Sequence, residues 1–221
     1  MMKMKTLVTS LTVASILSLS FGGPLFAAAK DFADIDKTAG KEKIIALHEQ
    51  GIINGITATE FRPELTLNNA QGIQLITKGL HLDLAAIDFV KIPEASDLFS
   101  NIKDNAWFAE AFINAFYNDI DIPKNIDPSK PMTKEQFTYF LIRGVERIGN
   151  LPKINIVPAK ISDAKDITAS YQGAIQRSLT WKINTLTNKD KFNPTNEISR
   201  AEAAVMLYNA IEFLNESNVQ Q

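Results

Sequence analysis

Three short stretches of this sequence carry the residues most suited to chemistry. Asn68-Asn69-Ala70-Gln71, Thr133-Lys134-Glu135-Gln136 and Ser199-Arg200-Ala201-Glu202 each set a side-chain oxygen three residues ahead of a Gln or Glu. That spacing is a capping box: the first residue accepts from the third helical N–H, and the Gln or Glu reaches back to the cap. The residue after the cap is Asn69, Lys134 or Arg200. A cation there opposes the helix dipole by ~0.3 kcal/mol or more unless an anion joins it, so Arg200→Ala is expected to leave the fold intact or raise its stability slightly. Free N–H groups at a helix start attract anions, and a guanidinium adds a planar fork that matches a carboxylate. Arg200 is therefore read as an anion-binding residue and Lys134 as a less specific counterpart. Ser199 and Thr133 are caps first, with ligand contact as a second role.

Other polar and aromatic residues divide between binding and structure. Trp107 and Trp181 can stack on sugar faces, although a Trp at a helix edge more often packs into the core with its N–H paired. Asp34 and Asp163 are counted with the ligand-binding residues; each either caps the segment that follows it or orients the basic residue of a neighbouring repeat, the local cap being the first reading. His48 and His81 have no second ligand at metal spacing, and the acids near Asp119, Asp121 and Asp127 lack the calcium-loop pattern. No Gly-x-Ser-x-Gly, phosphate-cradling glycine loop or histidine-based zinc motif occurs. No catalytic residue, metal or cofactor is therefore assigned.

The elements that position these residues recur. Pro63, Pro128 and Pro194 each lie five residues before a cap, and a fixed period of this kind marks internal repeats. After each cap an apolar stripe of helical period returns in the same register, through Gly72, Phe137 and Ala203, then Ile76, Leu141 and Leu207, to the small residues Gly79, Gly144 and Ala210. Glycine inside a helix costs about 1 kcal/mol relative to alanine, so close approach of helix backbones is expected at these positions. Each unit reads as an extended entry, a helix, a loop and a capped helix. The expected fold is all-α: three helix-loop-helix repeats, 30–82, 97–149 and 159–215, in a pseudo-threefold arrangement around a central three-helix bundle, with a flexible polar tail at 216–221.

Residues 1–29 differ from the rest. Lys3 and Lys5 precede an apolar stretch from Leu7 to Leu19, then Gly22-Gly23-Pro24 and Ala27-Ala28-Ala29. This is the pattern of a secretory signal peptide, and it is too short to span a bilayer. Removing both lysines leaves 21 basic against 25 acidic residues, which argues against a nucleic-acid partner. There is no cysteine, so neither a disulfide scaffold nor a cysteine-linked lipid anchor holds the chain.

The combined pattern resembles the S-layer homology domain family. Phe32, Asp34, Gly51-Ile52-Ile53-Asn54-Gly55, Phe61 and Pro63 carry it first. Phe99, Trp107, Pro128 and Met132-Thr133-Lys134-Glu135-Gln136 carry it second, and Asp163, Phe192, Pro194 and Ile198-Ser199-Arg200-Ala201-Glu202 third. The resemblance implies a secreted, noncatalytic module at the wall or cell surface of a Gram-positive-type bacterium. Its implied ligand is an anionic, often pyruvylated secondary polysaccharide linked to peptidoglycan, bound noncovalently in grooves between repeats. It assigns the main contact to Arg200, and to Lys134 by charge, but fails at Asn69. The Gly-Ile-Ile-x-Gly loop survives in the first repeat alone, which weakens two of the three sites. A degenerate module contacting another envelope protein is the alternative reading, and a wall-active enzyme the more distant one.

Overall fold

The computed structural model describes residues 32–85, 87–149, 151 and 157–219, so the expected signal peptide lies outside the described residues. These residues form seven α-helices and no strand: α1 Lys41–Glu49, α2 Asn69–Gly79, α3 Ala95–Leu98, α4 Ala109–Tyr117, α5 Lys134–Gly149, α6 Gln172–Thr180 and α7 Arg200–Val219. The all-helical expectation holds. Helices α2, α5 and α7 pack on one another, while α1 lies against α7, α4 against α2 and α6 against α5. Helix α7 runs through Val219, and Ser217 donates to the Phe213 carbonyl at 2.7 Å, so residues 216–219 are helical where a frayed tail was expected.

All three capping boxes form. Asn68 Oδ1 accepts from Gln71 N at 2.9 Å, Thr133 Oγ1 from Gln136 N at 3.3 Å and Ser199 Oγ from Glu202 N at 3.2 Å. The residues just ahead of the caps close a ring of backbone hydrogen bonds. Leu67 N donates to Ile198 O at 3.1 Å, Ile198 N to Met132 O at 2.9 Å and Met132 N to Leu67 O at 2.8 Å. The side chains of Leu67, Met132 and Ile198 are buried. Each cap segment is thereby tied to the other two.

The fixed proline offset has its reason here. Asn69 N donates to Lys130 O and Ala70 N to Pro128 O; Lys134 N donates to Asn196 O and Glu135 N to Pro194 O; Arg200 N donates to Leu65 O and Ala201 N to Pro63 O. Each proline carbonyl accepts from the first turn of a helix distant in sequence. With the cap bond added, the first three N–H groups of every capped helix are satisfied within the chain. This corrects the expectation that the N–H groups at the start of α7 are open to an anion: they serve the fold.

The small positions also pack differently from expectation. A Cβ at Gly79 would collide with the Leu207 side chain, and one at Gly144 with the side chain of Leu80. A leucine from a neighbouring element fills each notch, rather than one helix backbone meeting another. Ala210 is fully buried.

The shorter helices end alike. Residues Gly51, Asp119 and Lys182, just past α1, α4 and α6, have φ of 70°, 59° and 56°. The buried isoleucine after each, Ile52, Ile120 and Ile183, donates five residues back, to Leu47 O, Ala115 O and Ser178 O. This is the closing bond of a Schellman turn, which needs a left-handed residue. Only the first stretch supplies glycine there, yet the turn is kept in all three.

Candidate functional site

Arg200, the first residue of α7, reaches back across the chain to the loop after α1. Its Nε donates to Phe61 O at 2.9 Å and its Nη2 to Asn54 O at 2.9 Å. The guanidinium lies over the Phe61 ring, 4.5 Å from the centroid. It lines a hollow of about 300 Å³ with Ile53, Asn54, Gln71, Gln74, Lys78 and Trp107. Burial lowers the guanidinium from its ordinary pKa, and the charge of Asp34 opposes that shift. Among the described residues, neither Arg200 nor Lys78 has a carboxylate within 4.0 Å. A partly desolvated cation held by carbonyls and a ring alone is electrostatically incomplete, and an anion entering the hollow would complete it.

The same position in the other two capped helices is built on the same plan with different charge. Lys134, at the start of α5, sits 5.3 Å from the Phe192 centroid, as Arg200 sits on Phe61. Its side chain is only 12% exposed, and its Nζ lies 3.5 Å from Glu202 Oε1. The residue corresponding to Glu202 beside Arg200 is the neutral Gln71. Asn69, 4% exposed, donates from Nδ2 to Asp127 O at 2.8 Å and brings no charge. Three scaffold positions therefore present an unpaired cation, a paired cation and an amide.

Lys78 was missed by the sequence reading, although counting ten residues on from each cap would have found it. That count gives Lys78, Arg143 and Asn209. Arg143 donates to Asp119 O at 3.1 Å and pairs with Glu146 at 3.4 Å. Asn209 Oδ1 accepts from Lys43 Nζ at 2.6 Å. Near Arg143, the Tyr139 hydroxyl donates to Asp121 at 3.0 Å and its ring stacks on Tyr171. Burial, reinforced by that carboxylate, pushes the Tyr139 hydroxyl up to about 12. The hollow around Arg143 has a mixed lining of Asp119, Asp121, Lys124 and Arg143, whereas the lining of the Arg200 hollow includes no carboxylate.

The two aspartates hold loops rather than the segments that follow them. Asp34 accepts from Phe61 N at 2.9 Å and Arg62 N at 2.7 Å; Asp163 accepts from Phe192 N at 2.9 Å and Asn193 N at 2.8 Å. Arg62 and Asn193 have left-handed φ of 56° and 57°, so each carboxylate stabilises a strained turn that presents the aromatic ring under the cation. Asn101 does the related task by donating to Asn125 O and Ile126 O. For both aspartates burial raises the pKa, but the backbone donors outweigh it and hold the carboxyl below its ordinary value.

The tryptophans separate. Trp107 is 62% exposed at the edge of the Arg200 hollow, its ring set perpendicular to that of Phe108, so it is not a core residue. Trp181 is half-buried and stacked on Phe213, away from Arg200, in the core role. His48 is half-buried against Phe32, with Nδ1 3.1 Å from Ile53 O. Among the described residues no group of three or more His, Asp or Glu could hold a metal, and no helix is long and apolar enough to cross a membrane.

Comparison with known proteins finds similarity over parts of the chain. The S-layer homology domain model matches residues 31–71 and 160–204, the segments that carry the Phe61 loop and Arg200. The chain is 27% identical over 185 residues to an amylopullulanase of Thermoanaerobacterium thermosulfurigenes, covering 83% of this chain and 10% of that protein. It is 26% identical over 186 residues to the exoglucanase XynX of Acetivibrio thermocellus, covering 83% and 16%. It is 23% identical over 149 residues to a surface-layer 125 kDa protein of Lysinibacillus sphaericus, covering 67% and 12%. The chain thus spans a small fraction of the length of these relatives.

Proposed function

We propose that this chain is a noncatalytic cell-surface module that binds an anionic wall polysaccharide through the hollow around Arg200. The carrying observation is the guanidinium itself, fixed on Phe61 and Asn54 O with no carboxylate of the described residues within 4.0 Å. A carboxylate borne on a sugar, such as a pyruvate acetal, meets its free edge, Lys78 adds long-range attraction, and Trp107 offers an aromatic face to the ring. The reading includes three units around a pseudo-threefold axis, supported by the closed hydrogen-bond ring at Leu67, Met132 and Ile198. It also includes export directed by residues 1–29 and attachment to peptidoglycan-linked polymer. The amylopullulanase, exoglucanase and surface-layer relatives support a shared anchoring segment rather than a shared reaction, because the match covers so little of each.

Cosedimentation with purified Gram-positive walls, before and after stripping the secondary polymer, tests this. The parent protein should pellet with intact walls and stay soluble with stripped ones. Arg200→Ala, checked for folding by circular dichroism, should bind about ten- to a hundredfold more weakly, the expected loss of a charge-assisted contact. Equal binding by parent and variant would remove Arg200 from the site and favour an envelope-protein partner.

A further inference from the structure

Of the chain's asparagines, Asn54 alone precedes a glycine. Its carbonyl is the one that accepts from Arg200 Nη2 at 2.9 Å. Asparagine is chemically labile, and most so before glycine, where no Cβ hinders the next backbone nitrogen as it attacks the amide carbon. Both reacting groups are free in this loop. Asn54 is exposed, and neither its side-chain amide nor the Gly55 N–H has a hydrogen-bond partner among the described residues. The residues on either side are tied: Ile53 N donates to Leu47 O and Ile56 N to Glu60 O. Gly55 is required by packing, since a Cβ there would collide with Thr57 O and the Phe32 ring. The fold thus demands the glycine and makes no use of the asparagine amide. The same place in the other two loops, two residues past Ile120 and Ile183, holds Ile122 and Thr185. The labile pair therefore stands in the one loop that holds Arg200.

We propose that Asn54-Gly55 is a deamidation site, and that its conversion supplies Arg200 with a carboxylate from within the chain and closes the hollow to an external anion. The closure rests on the binding reading of Arg200 and extends it. Gly55 N attacks Asn54 Cγ, the Cγ–Nδ2 bond breaks, and ammonia leaves with the proton from Gly55 N, giving a cyclic imide. Water then opens the ring. Opening at Cγ gives aspartate. Opening at the main-chain carbonyl gives isoaspartate, in which the chain runs through Cγ and the former Asn54 carbonyl becomes a free carboxylate. In isoaspartate the oxygen that faced Arg200 Nη2 belongs to an anion, so a neutral acceptor is replaced by a charged one. In aspartate the new charge stands on the side chain of the same residue. Either product adds a negative charge to a hollow whose lining includes no carboxylate. That charge attracts the guanidinium and repels an acidic ligand.

The test keeps the folded chain at mildly alkaline pH, which favours attack by the backbone nitrogen, and separates the converted form by anion exchange through its added charge. Peptide mapping by mass spectrometry, with an isoaspartate-specific methyltransferase, should place the conversion at Asn54 ahead of every other asparagine. Asn54→Gln should abolish the new species. The converted form should bind polymer-bearing walls about tenfold more weakly than the fresh chain. Asn54→Gln should keep whatever affinity it starts with through the same incubation. Asn54→Asp, which adds the charge without lengthening the backbone, should weaken binding in the same direction. A chain that converts first at another asparagine, or not at all, overturns the site. A converted form that binds as the fresh chain does, while Arg200→Ala is defective, overturns the closure and leaves the Arg200 reading standing. If fresh Arg200→Ala binds as the parent does, that reading falls and the closure with it.

Discussion

The carbonyl of Phe61 accepts a hydrogen bond from Arg200 Nε at 2.9 Å while the ring of the same residue lies under that guanidinium, 4.5 Å away. One loop residue thus fixes both the position and the plane of a cation 139 positions further along the chain. The dipole conflict expected of Arg200 is outweighed by these contacts.

Arg200→Ala is therefore expected to lower stability rather than raise it. Two hydrogen bonds from a charged group and a ring contact exceed the ~0.3 kcal/mol relieved at the helix start. The loss should be about 1–2 kcal/mol by urea denaturation, small enough to leave the fold intact for the binding assays. A variant more stable than the parent would mean that the Phe61 contact contributes nothing.

Gly79 tests the packing between α2 and α7. Alanine ordinarily stabilises a helix interior by about 1 kcal/mol over glycine. At Gly79 the added methyl meets Leu207, so Gly79→Ala should instead destabilise by about 1–2 kcal/mol. In a double-mutant cycle with Leu207→Ala the two effects should couple, because the smaller side chain vacates the space the methyl needs. Additive effects in thermal melts would show that the notch is not what selects glycine.

The secondary structure was legible because its signals are local. A cap, a residue three on and a stripe of period 3.6 all lie within one helix, and each of Asn68, Thr133 and Ser199 caps as read. The proline offset was visible, but its meaning was not, since Pro63 O accepts from Ala201 across the chain. The candidate site was legible in part for the same reason. Arg200 could be named from its own position, yet whether a cation is answered depends on a residue far away: Glu202 beside Lys134, Gln71 beside Arg200. Likewise Asp34 and Asp163 act on loops 27 and 29 residues later. Losing the glycines did not cost the turn itself, because Asp119 and Lys182 adopt the left-handed conformation without one.

That turn gives a stabilising substitution. Lys182 holds φ of 56°, a conformation costing a non-glycine residue roughly 1–2 kcal/mol. Part of the gain from glycine is offset by its greater freedom in the unfolded chain. Lys182→Gly should raise stability by about 0.5–1 kcal/mol, read as a rise in thermal midpoint. A fall would show that the lysine side chain makes up for its backbone strain.

Asp163 provides a pH dependence. Its carboxyl is held below the ordinary carboxylate value by the N–H groups of Phe192 and Asn193. A depressed carboxyl contributes stability that is present above the unfolded value, near ~3.9, and is lost as pH falls through the lower folded value. Asp163→Ala should destabilise by about 2 kcal/mol at pH 7, leaving two N–H groups without a charged acceptor. The gap between variant and parent should narrow below pH ~4. A gap independent of pH would assign the effect to packing, not to the charge.

Glu202 decides whether Lys134 is available. Its Oε2 lies 3.3 Å from Ser199 N in the capping box, and its Oε1 lies 3.5 Å from Lys134 Nζ. Gln71 and Gln136 close their own boxes without a charge, so Glu202→Gln should keep the cap. With Glu202 48% exposed, losing the ion pair should change stability by less than about 1 kcal/mol. Its effect should appear in binding. Lys134→Ala in the parent should weaken wall binding little, because that cation is already answered. In an Arg200→Ala background, adding Glu202→Gln should restore several-fold of the lost binding by releasing the ammonium over Phe192, and added salt should erase the gain. Wall cosedimentation of the single and double variants reads this directly. A double variant as defective as Arg200→Ala alone would show that the shape of the Lys134 hollow, rather than the Glu202 carboxylate, keeps an anion out.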